Sequence, residues 1–224
     1  KQLEELWTRV SRPGDRLALA VPGYMGTENL GLLLGIAMEL DIPVVAMVDA
    51  AVAATRRHYV NAVPVHVDLG LHSAMLTRLS QDGQVQFERS AVVDASGMLS
   101  LYDVWLRLIA ETFVQQSRFD PLHTAETEQV LQDSILDWLQ IAASKDSVSM
   151  NVVYRGISHD AEIESLQFVS AAEPVYRNIA SNLRALIRGG ETPAIQLSDR
   201  AARMPGLAET LKARVGGEVF LVEP

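Results

Sequence analysis

The sequence lacks several features that would point to particular classes of protein. It has no cysteine in 224 residues, which excludes disulfide bonds, thiol catalysis and thiolate metal sites. A cysteine-free chain fits a reducing compartment, and we expect a cytoplasmic protein. No apolar run approaches the roughly 20 residues of a membrane helix, so we expect no membrane span.

Positive charge is also scarce, which bears on the choice of partner. The chain has 19 Lys and Arg against 28 Asp and Glu, for a net charge of −9. Because the backbone of a nucleic acid is bound by clustered basic side chains, and we find no such cluster, nucleic acid is not expected as a partner. The composition is 48% hydrophobic and 21% charged, which predicts a globular protein with a sizeable core.

The first quarter of the chain alternates between strands and helices. Apolar strands are predicted at Leu17–Val21 and Ile42–Val48. An amphipathic helix between them runs from Thr27 or Glu28 to about Leu40. An Ala-rich helix follows over Ala50–Arg57, with Asp49 as its N-cap. Strands and helices in alternation with short connections predict an α/β fold with parallel strands.

A three-strand meander then occupies Val63 to about Ala91, and a longer series of elements follows it. The predicted elements after the meander are helices over Leu101–Ser117 and Ala125–Ala143, a strand over Val148–Tyr154, a long helical stretch over Ala161–Arg188, a strand over Ala194–Leu197, a helix over Pro205–Val215 and a strand over Val219–Val222.

Short motifs along this order resemble those of a known family. They are Val21-Pro22-Gly23-Tyr24, Asp49–Ala54, Asp68-Leu69-Gly70, Ser149–Glu164 and Arg203-Met204-Pro205. In this order and spacing they resemble the nucleotide-binding domain of the seventy-kilodalton heat-shock (DnaK-like) chaperones, within the actin-like ATPase superfamily. The resemblance spans nearly the whole chain, although no single motif is specific.

The resemblance implies an α/β fold of the actin-like ATPase (ribonuclease H-like) type and a division of the chain. Residues 1–58 would be the C-terminal part of a first lobe. Residues 59–224 would be the second lobe, with an inserted helix-plus-strand subdomain at about 104–165. The first phosphate loop would precede Lys1, and a closing helix would follow the strand before Pro224. On this mapping the chain alone is expected to be inactive.

The same resemblance places a phosphate loop at the turn between the first two meander strands. Asp68 would hold a metal-bound water near the phosphates, and Ser73 keeps a hydroxyl that the family has as threonine. Gly70 retains one glycine of the loop, but Leu71 and His72 replace the next two. Because side chains there restrict φ and fill the space of a phosphate, the loop is expected to have lost its function.

Two further regions of the implied nucleotide site also depart from the family. Asp199 and Arg200 replace the glycines beneath the adenosine, and we expect a solvated turn in which they pair, although Arg200 could stack on a base. On the inserted helix, Gln140 falls among apolar residues at the adenosine-facing positions, and a shift of one residue would bring in Asp137 or Lys145.

A metal-site glutamate that the family has before the Ala-rich helix falls at Val48, or at Asp49 if the register is one residue off. Trp138 and Leu139, on the inserted helix, are expected to be core residues. The remaining histidines lack metal-ligand spacing and are expected to be structural.

These substitutions give a leading hypothesis and two alternatives. The first is a chaperone-like relative with a degenerate nucleotide site, a binding or regulatory module that contacts a protein partner or client. In the second, the parent protein still binds ATP or ADP with Mg²⁺ and hydrolyses ATP through an altered cleft. The third is an actin-like assembly or scaffold protein.

Overall fold

The computed structural model describes residues 1–222 as eight helices and nine strands. The first half contains α1 (Gln2–Val10), β1 (Leu17–Val21), α2 (Thr27–Glu39), β2 (Val44–Asp49), α3 (Ala50–Ala54), β3 (Val63–Leu69), β4 (Ser73–Ser80), β5 (Gln86–Asp94) and α4 (Met98–Ser117). The second half contains α5 (Ala125–Ala142), β6 (Ser147–Tyr154), β7 (Ile157–Glu164), α6 (Ser165–Leu186), β8 (Pro193–Leu197), α7 (Asp199–Ala202), α8 (Leu207–Val215) and β9 (Glu218–Leu221).

A mixed five-stranded sheet forms the centre of the molecule. Its strand order is β5-β4-β3-β8-β9. The meander strands pair antiparallel, whereas β8 pairs in parallel with β3, and β9 in parallel with β8. The chain is therefore an α/β protein in which β8 returns beside the first strand of the meander and β9 extends the sheet beyond it.

One face of the central sheet carries the main hydrophobic core. Alternate residues of β3, which are Val65, Val67 and Leu69, point into it. They pack with helices α4, α5, α6 and α8, where Trp105 and Tyr176 are fully buried. Each of these two aromatic side chains also donates a hydrogen bond to a backbone carbonyl, and burial raises the pKa of Tyr176.

A smaller unit precedes the central sheet. Strands β1 and β2 pair in parallel, as the sequence predicts, and form a two-stranded sheet of their own. Asp49 caps α3, because its carboxylate accepts the backbone N–H groups of Ala51 and Val52. Helix α3 then packs on β4 and β5 of the central sheet. The capping role predicted for Asp49 is confirmed.

The segment between β5 and β8 contains one prediction that was wrong. The helix expected from Ala161 begins only at Ser165 and ends at Leu186, passing through Pro174. Residues Ile157–Glu164 instead form β7, which pairs with β6 in a hairpin. The hairpin turn uses Arg155 and Gly156 at positive φ, the conformation that a tight two-residue turn requires.

None of the helices within residues 1–222 combines the length and the apolar character needed to cross a membrane.

Candidate functional site

Asp68 and Arg200 meet at one edge of the central sheet. Asp68 lies near the end of β3, and Arg200 lies on α7, which follows the neighbouring parallel strand β8. The Arg200 Nη2 atom is 3.4 Å from both carboxylate oxygens of Asp68. Because the carboxyl ends of parallel strands share an edge, the fold brings together two residues that are 132 positions apart.

The turn between β3 and β4 is a closed hairpin. The Gly70 N–H donates to the Ser73 carbonyl at 2.9 Å, and Leu69 pairs with Ala74. Leu71 and His72 form the exposed tip, and neither is among the described residues with positive φ. The tip therefore accepts side chains without strain, and the Gly70 N–H is already used within the hairpin.

The N-terminus of α4 packs directly against this hairpin. The Met98 N–H donates to the Gly70 carbonyl at 2.9 Å, and the Leu99 N–H donates to the Leu71 carbonyl at 3.0 Å. Gly97 allows this approach, since a Cβ on it would lie 2.7 Å from the Gly70 oxygen and closer still to the backbone of residues 72 and 73. N–H groups at the start of a helix can bind anions in other proteins. Here the first two of α4 donate instead to carbonyl oxygens of the hairpin loop.

The pairing expected between Asp199 and Arg200 was wrong. Ser198 caps α7 with its hydroxyl, and Asp199 is the first helical residue. Asp199 forms an ion pair with Arg203 one turn later, at 2.9 Å. This leaves Arg200 on another side of the short helix, where it contacts Asp68 instead.

The remaining predicted adenosine residue forms no hydrogen bond with this pair in the part of the chain that the structure describes. Gln140 is exposed on α5, and no hydrogen bond within residues 1–222 connects its side chain to Asp68 or Arg200. Its neighbours Trp138 and Leu139 are buried in the main core, as predicted.

The carboxylates near the sheet edge do not form a good site for Mg²⁺, which prefers several oxygen ligands in octahedral geometry. Asp68 already has Arg200 as a cationic partner, and one oxygen of Asp49 caps α3. In the part of the chain that the structure describes, no group of three His, Asp or Glu side chains is arranged to hold a metal ion. The residues present therefore do not fit the metal that the resemblance implies.

The other face of the central sheet carries a buried polar row that sequence reasoning missed. The row consists of Thr77 on β4, His66 on β3 and Gln196 on β8, at matching register positions. All three are buried. Burial lowers the pKa of His66, and the nearby carboxylates of Asp68 and Asp49 only partly oppose this effect. In the sequence, the only signal for this polar row is His66, which lies within an apolar stretch of its strand.

Comparison with known proteins gives no relative from which a function could be read. No protein-family model matches the chain, and a search of curated proteins returns no significant match.

Proposed function

We propose that the chain is the second lobe of an actin-like ATPase fold (residues 59–224) with the C-terminal part of the first lobe (residues 1–58), from a chaperone-like relative of the seventy-kilodalton heat-shock family whose nucleotide site has degenerated. It acts as a binding or regulatory module toward a protein partner. The observation that carries this proposal is the closed hairpin at Gly70–Ser73, together with the helix that packs on it.

The hairpin supports the proposal because phosphate binding needs free backbone donors. The N–H groups of Gly70, Met98 and Leu99 donate to carbonyls within the protein. A phosphate loop presents such groups outward, toward the anion. For these three groups to hold a phosphate, their internal bonds would have to be exchanged for bonds to the ligand.

The ion pair between Asp68 and Arg200 supports the proposal in a second way. In a magnesium–nucleotide site the carboxylate faces the cation and its waters. Here the Arg200 guanidinium, on a side chain that is 58% exposed, lies beside that carboxylate, so a cation of the protein itself faces Asp68.

The order of elements also agrees with the fold that the resemblance implies. A meander, a helical segment with a hairpin, and two parallel strands, with β8 beside β3 and β9 beside β8, follow one another along the chain, and this order supports the proposal. The exposed apolar side chains of α2, among them Leu32 and Met38, favour a role in protein contact.

The proposal is tested by calorimetric titration of ADP and ATP, each with magnesium, into this chain and into the longest natural form of the protein that can be purified. We expect no binding heat in either case. Micromolar affinity, about −8 kcal/mol, would show that the altered loop still binds nucleotide and would reject the degenerate site.

A second candidate function is ATP hydrolysis through an altered cleft, and one observation favours it. Arg200 is a cation at the sheet edge, close to Asp68, where it could neutralise phosphate charge. Under this alternative, Asp68→Asn abolishes turnover and Arg203→Ala, on the same helix, leaves it intact. Turnover that survives Asp68→Asn rejects the alternative.

A further inference from the structure

The buried polar row lies where α3 covers the central sheet. Its register places Thr77, His66 and Gln196 side by side on three neighbouring strands, on the face opposite the main core. At the C-cap of α3, the Thr55 hydroxyl lies 3.0 Å from Gln196 Oε1 and 2.8 Å from the Ala51 carbonyl. The contact between α3 and the sheet is therefore polar at its centre.

Two atoms of this row have no hydrogen-bond partner among the protein atoms of residues 1–222. They are His66 Nδ1 and Gln196 Nε2. Their residues are 5% and 1% exposed, so bulk solvent does not reach them. Buried polar atoms in native proteins nearly always have a partner, because leaving one unsatisfied is costly.

The chemistry of the two atoms is complementary to water. The Gln196 amide nitrogen donates, and an unprotonated imidazole nitrogen accepts, so one water can accept from the first and donate to the second. The Thr77 hydroxyl on the next strand offers a third polar group. The buried residue of α3, Ala51, and the buried C-cap, Thr55, are both small, which favours space for a molecule of this size.

We propose that one internal water bridges His66 Nδ1 and Gln196 Nε2, so that the contact between α3 and the central sheet contains a buried water molecule. Because α3 follows β2 directly, this contact connects the β1–β2 unit to the sheet. A polar, hydrated contact exposes little apolar surface when it opens. We therefore expect α3 to separate from the sheet more readily than the helices of the main core do.

The test is nuclear magnetic resonance on the isotope-labelled wild-type chain, which avoids any variant that fails to fold. We expect cross-peaks between the Gln196 side-chain amide protons and a long-lived water. A resolved Gln196 amide without such cross-peaks, or a scalar coupling that shows a direct hydrogen bond between Gln196 Nε2 and His66 Nδ1, would overturn the proposal.

Two variants sharpen the same measurement. His66→Leu removes the acceptor and is expected to cause loss of the water cross-peaks at Gln196. The control, His159→Leu, removes a histidine that stacks on Phe119 far from the row in sequence, and is expected to leave those cross-peaks unchanged. Water cross-peaks that persist in folded His66→Leu would place the water elsewhere and reject the bridge.

Discussion

The β1–β2 unit and the central-sheet region use the same kinds of elements but bury them very differently. The main core cluster contains no residue before Val63. In α2 only Ala37 is buried, whereas Leu32 is 65% and Met38 70% exposed. In the central-sheet region, by contrast, every residue of β8 is buried.

This difference shows that a sequence can form a helix or a strand without burying its apolar side chains. Parallel strands in known proteins are normally covered on both faces, and a sheet of two strands has little stability of its own. The β1–β2 unit has the apolar composition of a covered sheet, while most of its large side chains are only half-buried or exposed. We therefore expect substitutions in the central-sheet region to change the free energy of unfolding strongly, and substitutions in the β1–β2 unit to change it little.

The largest contrast is expected from truncating one large side chain in each region. Trp105→Ala removes a fully buried ring and its hydrogen bond to the Phe168 carbonyl, and should destabilise by about 3–5 kcal/mol. The matched change Leu32→Ala on α2 should stay within about 0.5 kcal/mol. Denaturant unfolding measures both, and comparable losses would mean that the two regions share one core.

The next contrast uses glycine in two environments. Gly97→Ala places a methyl group against the backbone of the hairpin and should cost about 1–3 kcal/mol. Gly35→Ala on α2 meets no atom within 4 Å and should stabilise by about 0.5–1 kcal/mol, because alanine favours helix. Thermal unfolding of both variants tests this, and a neutral Gly97→Ala would show that α4 does not pack on the hairpin as described.

A pH effect of intermediate size is expected from the central-sheet region. Hydrogen bonds from the buried Arg78 guanidinium lower the pKa of Glu191 to about 2. An unfolded glutamate has a pKa of about 4.3, so the unfolded chain takes up the proton first as the pH falls. This contribution to stability is complete above the unfolded pKa and is lost as the pH falls toward 2.

Urea unfolding between pH 3 and pH 6 measures this effect. Glu191→Gln should flatten the dependence of stability on pH, whereas Asp103→Asn, which breaks an exposed pair with Arg107, should leave it nearly unchanged. An equal slope in wild type and Glu191→Gln would contradict the role assigned to the pair with Arg78.

The smallest effect on stability is expected at the candidate site. The Asp68–Arg200 pair is long and partly exposed, and exposed pairs contribute about 0.2–1 kcal/mol. A double-mutant cycle with Asp68→Asn and Arg200→Ala should give a coupling in that range. Coupling of several kcal/mol would show that the pair holds the sheet edge together.

Local sequence patterns predicted most of the helices and strands, because hydrophobic periodicity and turn-forming residues can be recognised within a few positions of the chain. Val63–Leu69 alternates, Asp49 precedes an Ala-rich run, and both features appear in the structure. The prediction from local patterns missed the strand at Ile157–Glu164 because its Ala and Glu residues were assigned to the helix that follows, although the resemblance related Ser149–Glu164 to a strand pair and a helix start. The turn at Arg155-Gly156 and the alternation after it were the signals that could have corrected this.

The candidate site could be predicted only in part, because its geometry depends on strand pairing across long separations. Nothing local to Asp68 indicates that Arg200 will lie beside it, since more than 120 residues separate β3 from β8 in the chain. The polar row depends in the same way on the register between His66 and Gln196. By contrast, the sequence shows directly that Leu71 and His72, rather than glycines, follow Gly70.

The most direct test of the closed hairpin is a nuclear magnetic resonance titration that follows the backbone amides of Gly70, Leu71, His72, Met98 and Leu99 as magnesium-ATP is added. The account predicts no change in their chemical shifts, and slow hydrogen exchange at Gly70, Met98 and Leu99 both before and after the addition. Saturable shifts confined to these five amides would show that phosphate binds at the hairpin, and would contradict the account.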